Sequence, residues 1–234
     1  MNKKVIWFDG GNIFVIRRGK TSNEKISAGK DEIVQTYTFS YEQWMYANNM
    51  PKRVMKEFFA LDKSNCLDCP FSGNSGNGKC YTHKYNQYAG FMSMLKSIKE
   101  SDLTILNAQK WRDVIDMSAN VFVRFGTYGE PSLLPITMVR HMSMASKSWT
   151  GYTHQSDKAW ASEYKDYFMA SLESATDTSD WRAFRVLDEP SKAESSVQCP
   201  ASKEGGYVTT CAKCGLCSGL MGKGNKDVQI LNHY

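Results

Sequence analysis

Seven cysteines are the residues of this chain best suited to chemistry, and they fall into two groups. Cys66, Cys69 and Cys80 lie in "CLDCPFSGNSGNGKC", with His83 shortly after. Cys199, Cys211, Cys214 and Cys217 lie in "CPASKEGGYVTTCAKCGLC". A CxxC step sets two thiolates on one tight turn, where both can reach one metal. The glycine-rich "GNSGNG" lets the chain return to present Cys80. With His83 the first group is a closed Cys3His zinc set. Without it, three thiolates can hold an iron–sulfur cluster with one iron left open. The later group needs no further donor, since four sulfurs saturate a tetrahedral zinc or a four-iron cluster. A saturated site suits a structural rivet or an electron relay, and an open one suits catalysis.

The same stretch carries a decoy. "GNSGNGKC" fits GxxxxGK, the opening of a phosphate-binding loop, but it lacks the Ser/Thr that would bind magnesium and no strand is expected before it. Two other places could position reactive groups. "FVRFGTYGEP" is a short apolar strand followed by a glycine turn, with Gly126, Gly129 and Glu130 where ligands meet a parallel α/β sheet. "GYTHQ" brings His154 to the same rim, the best general acid–base candidate among the four histidines. Arg124 interrupts an otherwise apolar strand and is expected to meet a ligand or an acid. His141 reads as structural, and His233 as a residue at the end of the last strand.

The elements that must hold these groups alternate. "VIWFDGGNIFVIRR" reads as a hairpin around a glycine turn, 19–32 as a polar loop, and the segment from Tyr41 to Lys63 as mostly helical. Tyr88, Phe91, Met92 and Leu95 fall at helical spacing. "SLLPITMVRHMSMA" reads as a helix entered at Pro135, "SWTGYT" as a strand, and "DKAWASEYKDYFMASLES" as another helix. "RAFRVL", "SVQCPA" and "DVQILN" supply further strands. Alternation of this kind implies a parallel α/β sheet. Five or six strands are fewer than the eight of a full barrel, so the expected fold is a partial or open (β/α) barrel, residues 61–234. Residues 1–60 are expected as an N-terminal hairpin and helix extension, and the later cysteines as a C-terminal metal-binding segment. The methionines falling in these helices read as core filler.

Bulk properties bound the rest. Hydrophobic residues at 41% and charged ones at 23% fit a globular chain, and a net charge of +5 permits nucleic-acid contact without requiring it. Asp9 and the following glycines break the N-terminal apolar run before a signal core could form. No run reaches the ~18 apolar residues of a membrane span. These features place the protein in a reducing cytoplasm, where clustered cysteines are metal ligands and not disulfides. The sequence sets no oligomeric state.

"CPFSGNSGNGKCY", "RFGTYGEP", "GYTHQ" and the late "CP…CAKCGLC" together resemble the phage "gene product eighty-eight" domain family over about residues 66–234. The order of three cysteines, helix, strand and Gly-Glu-Pro turn also looks like a radical S-adenosylmethionine enzyme. That second resemblance implies an iron–sulfur cluster on Cys66, Cys69 and Cys80, cofactor contact by Gly129 and Glu130, and an auxiliary cluster on the later four. This chain departs from that family's usual CxxxCxxC spacing and has Tyr128 where its turn has a first glycine. The phage resemblance implies a host cytoplasm. Two other functions fit the residues. One is a zinc-containing barrel transglycosylase acting on nucleic-acid bases, with Asp9, Asp188 or Glu130 as nucleophile. The other is a non-catalytic zinc-stabilised protein that stacks single-stranded nucleic acid on its Trp and Tyr side chains.

Overall fold

The computed structural model describes residues 3–27, 29–51, 53–189 and 196–231. His233 lies outside them.

The chain opens on the expected hairpin. β1 (Lys3–Phe8) and β2 (Asn12–Lys20) pair antiparallel. Their turn is fixed by Asp9, whose carboxylate accepts from the backbone of Gly11 at 2.9 Å and of Asn12 at 2.7 Å. A strand with no counterpart among the expected elements, β3 (Glu32–Ser40), pairs antiparallel with β2 along its length. β3 then pairs parallel with β4 (Phe122–Tyr128), and β4 with β5 (Ser148–Thr150). The segment expected as an appended extension therefore supplies three of the five strands of this sheet, order β1-β2-β3-β4-β5.

Between β3 and β4 lie α1 (Tyr41–Asn49), α2 (Met55–Phe59), the single turn α3 (Lys63–Cys66), α4 (Tyr85–Lys96) and α5 (Ala108–Ser118). Ser40 starts α1 with a reciprocal cap: its hydroxyl accepts from Gln43 N and the Gln43 side chain accepts from Ser40 N. The expected long helix stops at Asn49, just before Pro51, as the residue preceding a proline disfavours helical backbone. α6 (Ile136–Ala145) follows Pro135 as expected.

β5 runs into β6 (Tyr152–Thr153) across Gly151. A Cβ there would lie 2.4 Å from the Phe168 ring, so only glycine lets the chain cross at this point. β6 begins a second sheet with β7 (Met169–Leu172), β8 (Ala183–Leu187), β9 (Ser196–Gln198) and β10 (Asp227–Leu231), order β6-β7-β8-β10-β9 and parallel throughout. The segment expected as one helix from Asp157 on is a 3-10 helix, Ala159–Asp166, followed by β7. α7 (Cys211–Cys214) is a single turn ended by Gly215 at φ +66°. The fold is mixed α/β with parallel-containing sheets, and no pairing among the described residues joins the β1 edge to the β9 edge.

Alternation along the first sheet separates two cores. Val5, Trp7, Phe14, Ile16, Val34, Val123 and Phe125 pack with residues of α5, α6 and the 3-10 helix. Ile6, Ile13, Val15, Tyr37 and Phe39 pack with residues of α1, α2 and α4. Among the described residues no helix is long and apolar enough to cross a membrane.

Candidate functional site at the strand ends

The loop after β3 brings the first cysteine group to the ends of β3, β4 and β6. Asn65 anchors it: its side chain donates to Thr38 O on β3 at 2.9 Å, and its carbonyl accepts from Glu130 N after β4 at 2.7 Å. Gly129 makes this approach possible. At φ +78° it lies so near β3 that a Cβ would be 2.5 Å from Thr38 O and 3.1 Å from Asn65 O. Gly126 bends β4 at φ +63°, with Pro131 packed where its side chain would be. Both glycines predicted as cofactor contacts are thus required by the backbone itself.

The glycine-rich spacer folds back on its own polar groups. Asp62 accepts from Gly73 N at 2.7 Å and Asn74 N at 2.9 Å, and the Ser72 hydroxyl accepts from Ser75 N and Gly76 N. Amides that a phosphate loop would offer to a ligand are consumed here. Cys80 is held by a backbone bond to Phe71 O at 3.1 Å, and Cys69 by one to Cys66 O at 3.1 Å.

Burial pushes all three thiols up, Cys69 to about 12. For Cys66 the charges of Asp62, Cys69, Cys80 and Glu130 add to the effect. Three thiols and two carboxylates therefore share one neighbourhood whose electrostatics favour a bound cation, which would convert the thiols to thiolate ligands. As the side chains stand, no three His, Cys, Asp or Glu among the described residues form a group able to hold a metal ion.

The two histidines assigned to this region have different surroundings. His83 stacks on Phe59 with ring centroids 3.8 Å apart, and its Nδ1 lies 3.1 Å from Gly78 O. Its Nε2 faces the Asp62 carboxylate at 3.8 Å. His83 thus packs within the loop, and among the described residues its buried Nε2 has no hydrogen bond. His154, from the end of β6, reaches the cysteines: its Nδ1 is 3.4 Å from Cys69 Sγ. Burial lowers its pKa to about 4, so the ring is neutral at pH 7. Its Nε2 stands 3.7 Å from a Glu173 carboxylate oxygen beyond β7.

Glu130 is buried, 4% exposed, and its carboxylate is taken up internally. It accepts from Ser132 N at 3.0 Å and Ser132 Oγ at 2.6 Å, with Thr153 Oγ and the His154 amide as further donors. Burial nevertheless raises its pKa. Glu130 thus lies where the end of β4 meets Thr153 and His154 at the end of β6. Asp9, a candidate nucleophile, is engaged in the β1–β2 turn.

The second cysteine group is built on the other sheet. Cys211 N and Ala212 N donate to Lys25 O and Ile26 O, Gly151 N donates to Cys217 O, and Cys199 N donates to Gln229 O. The four cysteines line one cavity of about 20 Å³ with Tyr152, Phe184 and Val228. That is room for one water-sized occupant. Burial raises the Cys211, Cys214 and Cys217 thiols, Cys217 to about 12, and neighbouring sulfurs push each further. The four thiols therefore share one small cavity, while as the side chains stand they do not form a group able to hold a metal ion.

Several residues of the site were not singled out from sequence. Asp62, Asn65 and Glu173 had no motif to mark them. Tyr81, whose hydroxyl accepts from Arg124 at 2.9 Å, was marked only by its place after Cys80. Arg124 was expected to meet a ligand or an acid, and in this structure meets Tyr81.

No protein-family model matches the chain, and no curated protein or solved structure matches it.

Proposed function

We propose that the protein is a metal-dependent enzyme, with its reactive centre on Cys66, Cys69 and Cys80 and a separate structural metal on Cys199, Cys211, Cys214 and Cys217. The observation carrying this reading is convergence. Three thiols, the Glu130 tie and the His154 imidazole, far apart in sequence, meet at the C-terminal ends of β3, β4 and β6. That is the edge at which parallel α/β sheets place their chemistry, and it supports an open barrel-like curl of the sheet around the site. Three thiolates fit an iron–sulfur cluster with one open iron, for which S-adenosylmethionine is the co-substrate that the sequence resemblance implies. A cluster with that cofactor supplies radical chemistry.

The chain's own residues have separable tasks. Asn65 and Gly129 press the cysteine loop onto β3. Glu130 holds the β6 end, and with it His154, against that loop. His154 places a neutral nitrogen beside Cys69, and the Glu173 carboxylate stands 3.7 Å from its other nitrogen. Binding of S-adenosylmethionine by anaerobically purified protein, measured by equilibrium dialysis, tests the reading. Wild-type protein should bind it and Cys69→Ala should not; equal binding by both, or none by wild type, contradicts it.

The 3.4 Å contact favours one second reading. With His154 as fourth donor the rim holds a closed Cys3His zinc site, and the protein is a zinc-stabilised binding protein, with nucleic acid as its partner. Zinc that is lost from His154→Ala, in protein without iron, distinguishes it.

A further inference from the structure

One face of the first sheet is apolar at both ends and polar between. Toward the cysteine rim, Ile13, Val15, Tyr37 and Phe39 pack against α1, α2 and α4. Toward the opposite end, Ile33 and Phe122 meet Ile26 of the β2–β3 loop and Cys211 and Ala212 of the C-terminal segment. Between them, Arg17 pairs with Gln35, Gln35 with Arg124, and Arg124 with Thr150. Directly paired residues share a face. Four adjacent strands thus place polar side chains at one level of a face that is otherwise hydrophobic.

Within the band Gln35 Nε2 donates to Thr127 Oγ1 at 3.4 Å, which leaves the two arginine charges to account for. Arg17 and Arg124 are both half-buried, and a guanidinium partly removed from water is stabilised by a paired anion. Among the described residues, neither Arg17 nor Arg124 has a carboxylate in salt-bridge range. Arg124 gives one hydrogen bond, to Tyr81 Oη at 2.9 Å, and its guanidinium stands 6.0 Å from that ring's centroid. Among the described residues its remaining donors have no hydrogen bond. The strand register places Arg17 and Arg124 on either side of Gln35 on this face, and the charges of both act on the buried Tyr37 hydroxyl. Two strand spacings separate their backbones by about 10 Å, which two arginine side chains can bridge around one anion.

We infer that Arg17 and Arg124, with Gln35 and Thr150 beside them, bind the oxyanion group of a small anionic substrate, a phosphate or a carboxylate. Guanidinium forks match the paired oxygens of either group. Arg124 donates to Tyr81, the residue following Cys80, so the anchored anion lies on the side of the sheet that faces the first cysteine group. The inference rests on the metal-centre reading only in calling the bound anion the substrate.

Titration calorimetry of the full chain with inorganic phosphate, adenosine monophosphate and acetate tests it. Wild-type protein should bind at least one of the three, and Arg17→Gln and Arg124→Gln should each weaken that binding at least tenfold. Arg112→Gln, on the exposed face of α5, should leave it unchanged. Binding of phosphate or the nucleotide assigns a phosphate site, and binding of acetate alone a carboxylate site. No binding of any probe, or binding retained by both arginine variants, overturns the proposal. Should Arg124→Gln fail to fold, Arg17→Gln decides, since that side chain has no hydrogen bond to lose among the described residues. Metal is measured on the same samples: metal present without anion binding removes this inference alone, and anion binding without metal removes the metal-centre reading alone.

Discussion

Replacing Gly129 by alanine should unlatch the cysteine loop from the sheet. The new Cβ would sit 2.5 Å from Thr38 O and 2.9 Å from Thr38 Cβ, both on β3, so no flexible side-chain end can yield. Holding a non-glycine residue in the left-handed region, here at φ +78°, costs about 1–2 kcal/mol. Relieving the contact pushes the turn outward and strains the packing by about 1–3 kcal/mol. It also stretches the 2.7 Å bond from Glu130 N to Asn65 O. Alanine's lower unfolded-state entropy returns about 0.4–1 kcal/mol. The net loss is about 3 kcal/mol, which for a chain of this length lowers Tm by about 6–12 °C. Gly90 is the control: it lies inside α4, and a Cβ added there would meet nothing within 4 Å, so alanine should raise stability by about 0.5–1 kcal/mol. Thermal unfolding followed by circular dichroism reads both. A Gly129→Ala protein melting at or above wild type would refute the claim that this turn is clamped to the cysteine loop.

Two further substitutions separate roles within the two cysteine regions. Arg182 is buried and donates to Lys226 O at 3.2 and 2.6 Å and to Gly219 O at 2.9 Å, pinning the segment after Cys217. Arg182→Met should cost about 3 kcal/mol in urea unfolding, because hydrogen bonds from charged groups contribute about 1.5–3 kcal/mol each, and should open residues 219–226 to protease; unchanged cleavage there would count against the pinning. His83→Gln loses the Phe59 stack but no metal ligand, so it should lower Tm while bound metal per chain stays at the wild-type level. Loss of rim metal in that variant would return His83 to the ligand set.

How much could be read before folding differs by element, for physical reasons. The β1–β2 hairpin was legible because Asp9, Gly10 and Gly11 carry turn chemistry between two β-branched runs. β3 carries the same signal, with Ile33, Gln35, Tyr37 and Phe39 alternating, yet its pairing with both β2 and β4 is a long-range fact. β7 was hidden because Trp160, Tyr164, Tyr167 and Phe168 fit helical spacing, and a 3-10 helix meets that spacing before the chain extends at Met169. α5 went unnoticed although Asn107 caps it and accepts from Lys110 N at 2.9 Å. At the site, thiol spacing grouped the cysteines, and strand-end logic brought His154 to the rim. Which imidazole stands beside Cys69 was beyond sequence: His83 is near in the chain but its ring is captured by Phe59, whereas His154 arrives from another strand. Glu130 was found for its place, while the donors that consume its carboxylate, Thr153 and the His154 amide, come from β6 and the residue after it.

The most direct test of a reactive cluster beside a structural metal is the iron and zinc content per chain. It is measured on anaerobically purified wild-type protein, beside a variant with Cys66, Cys69 and Cys80 all changed to alanine. The wild type should hold about four irons and one zinc, with the irons lost and the zinc kept in the variant. Wild-type protein without iron, or iron that survives the triple substitution, would contradict it.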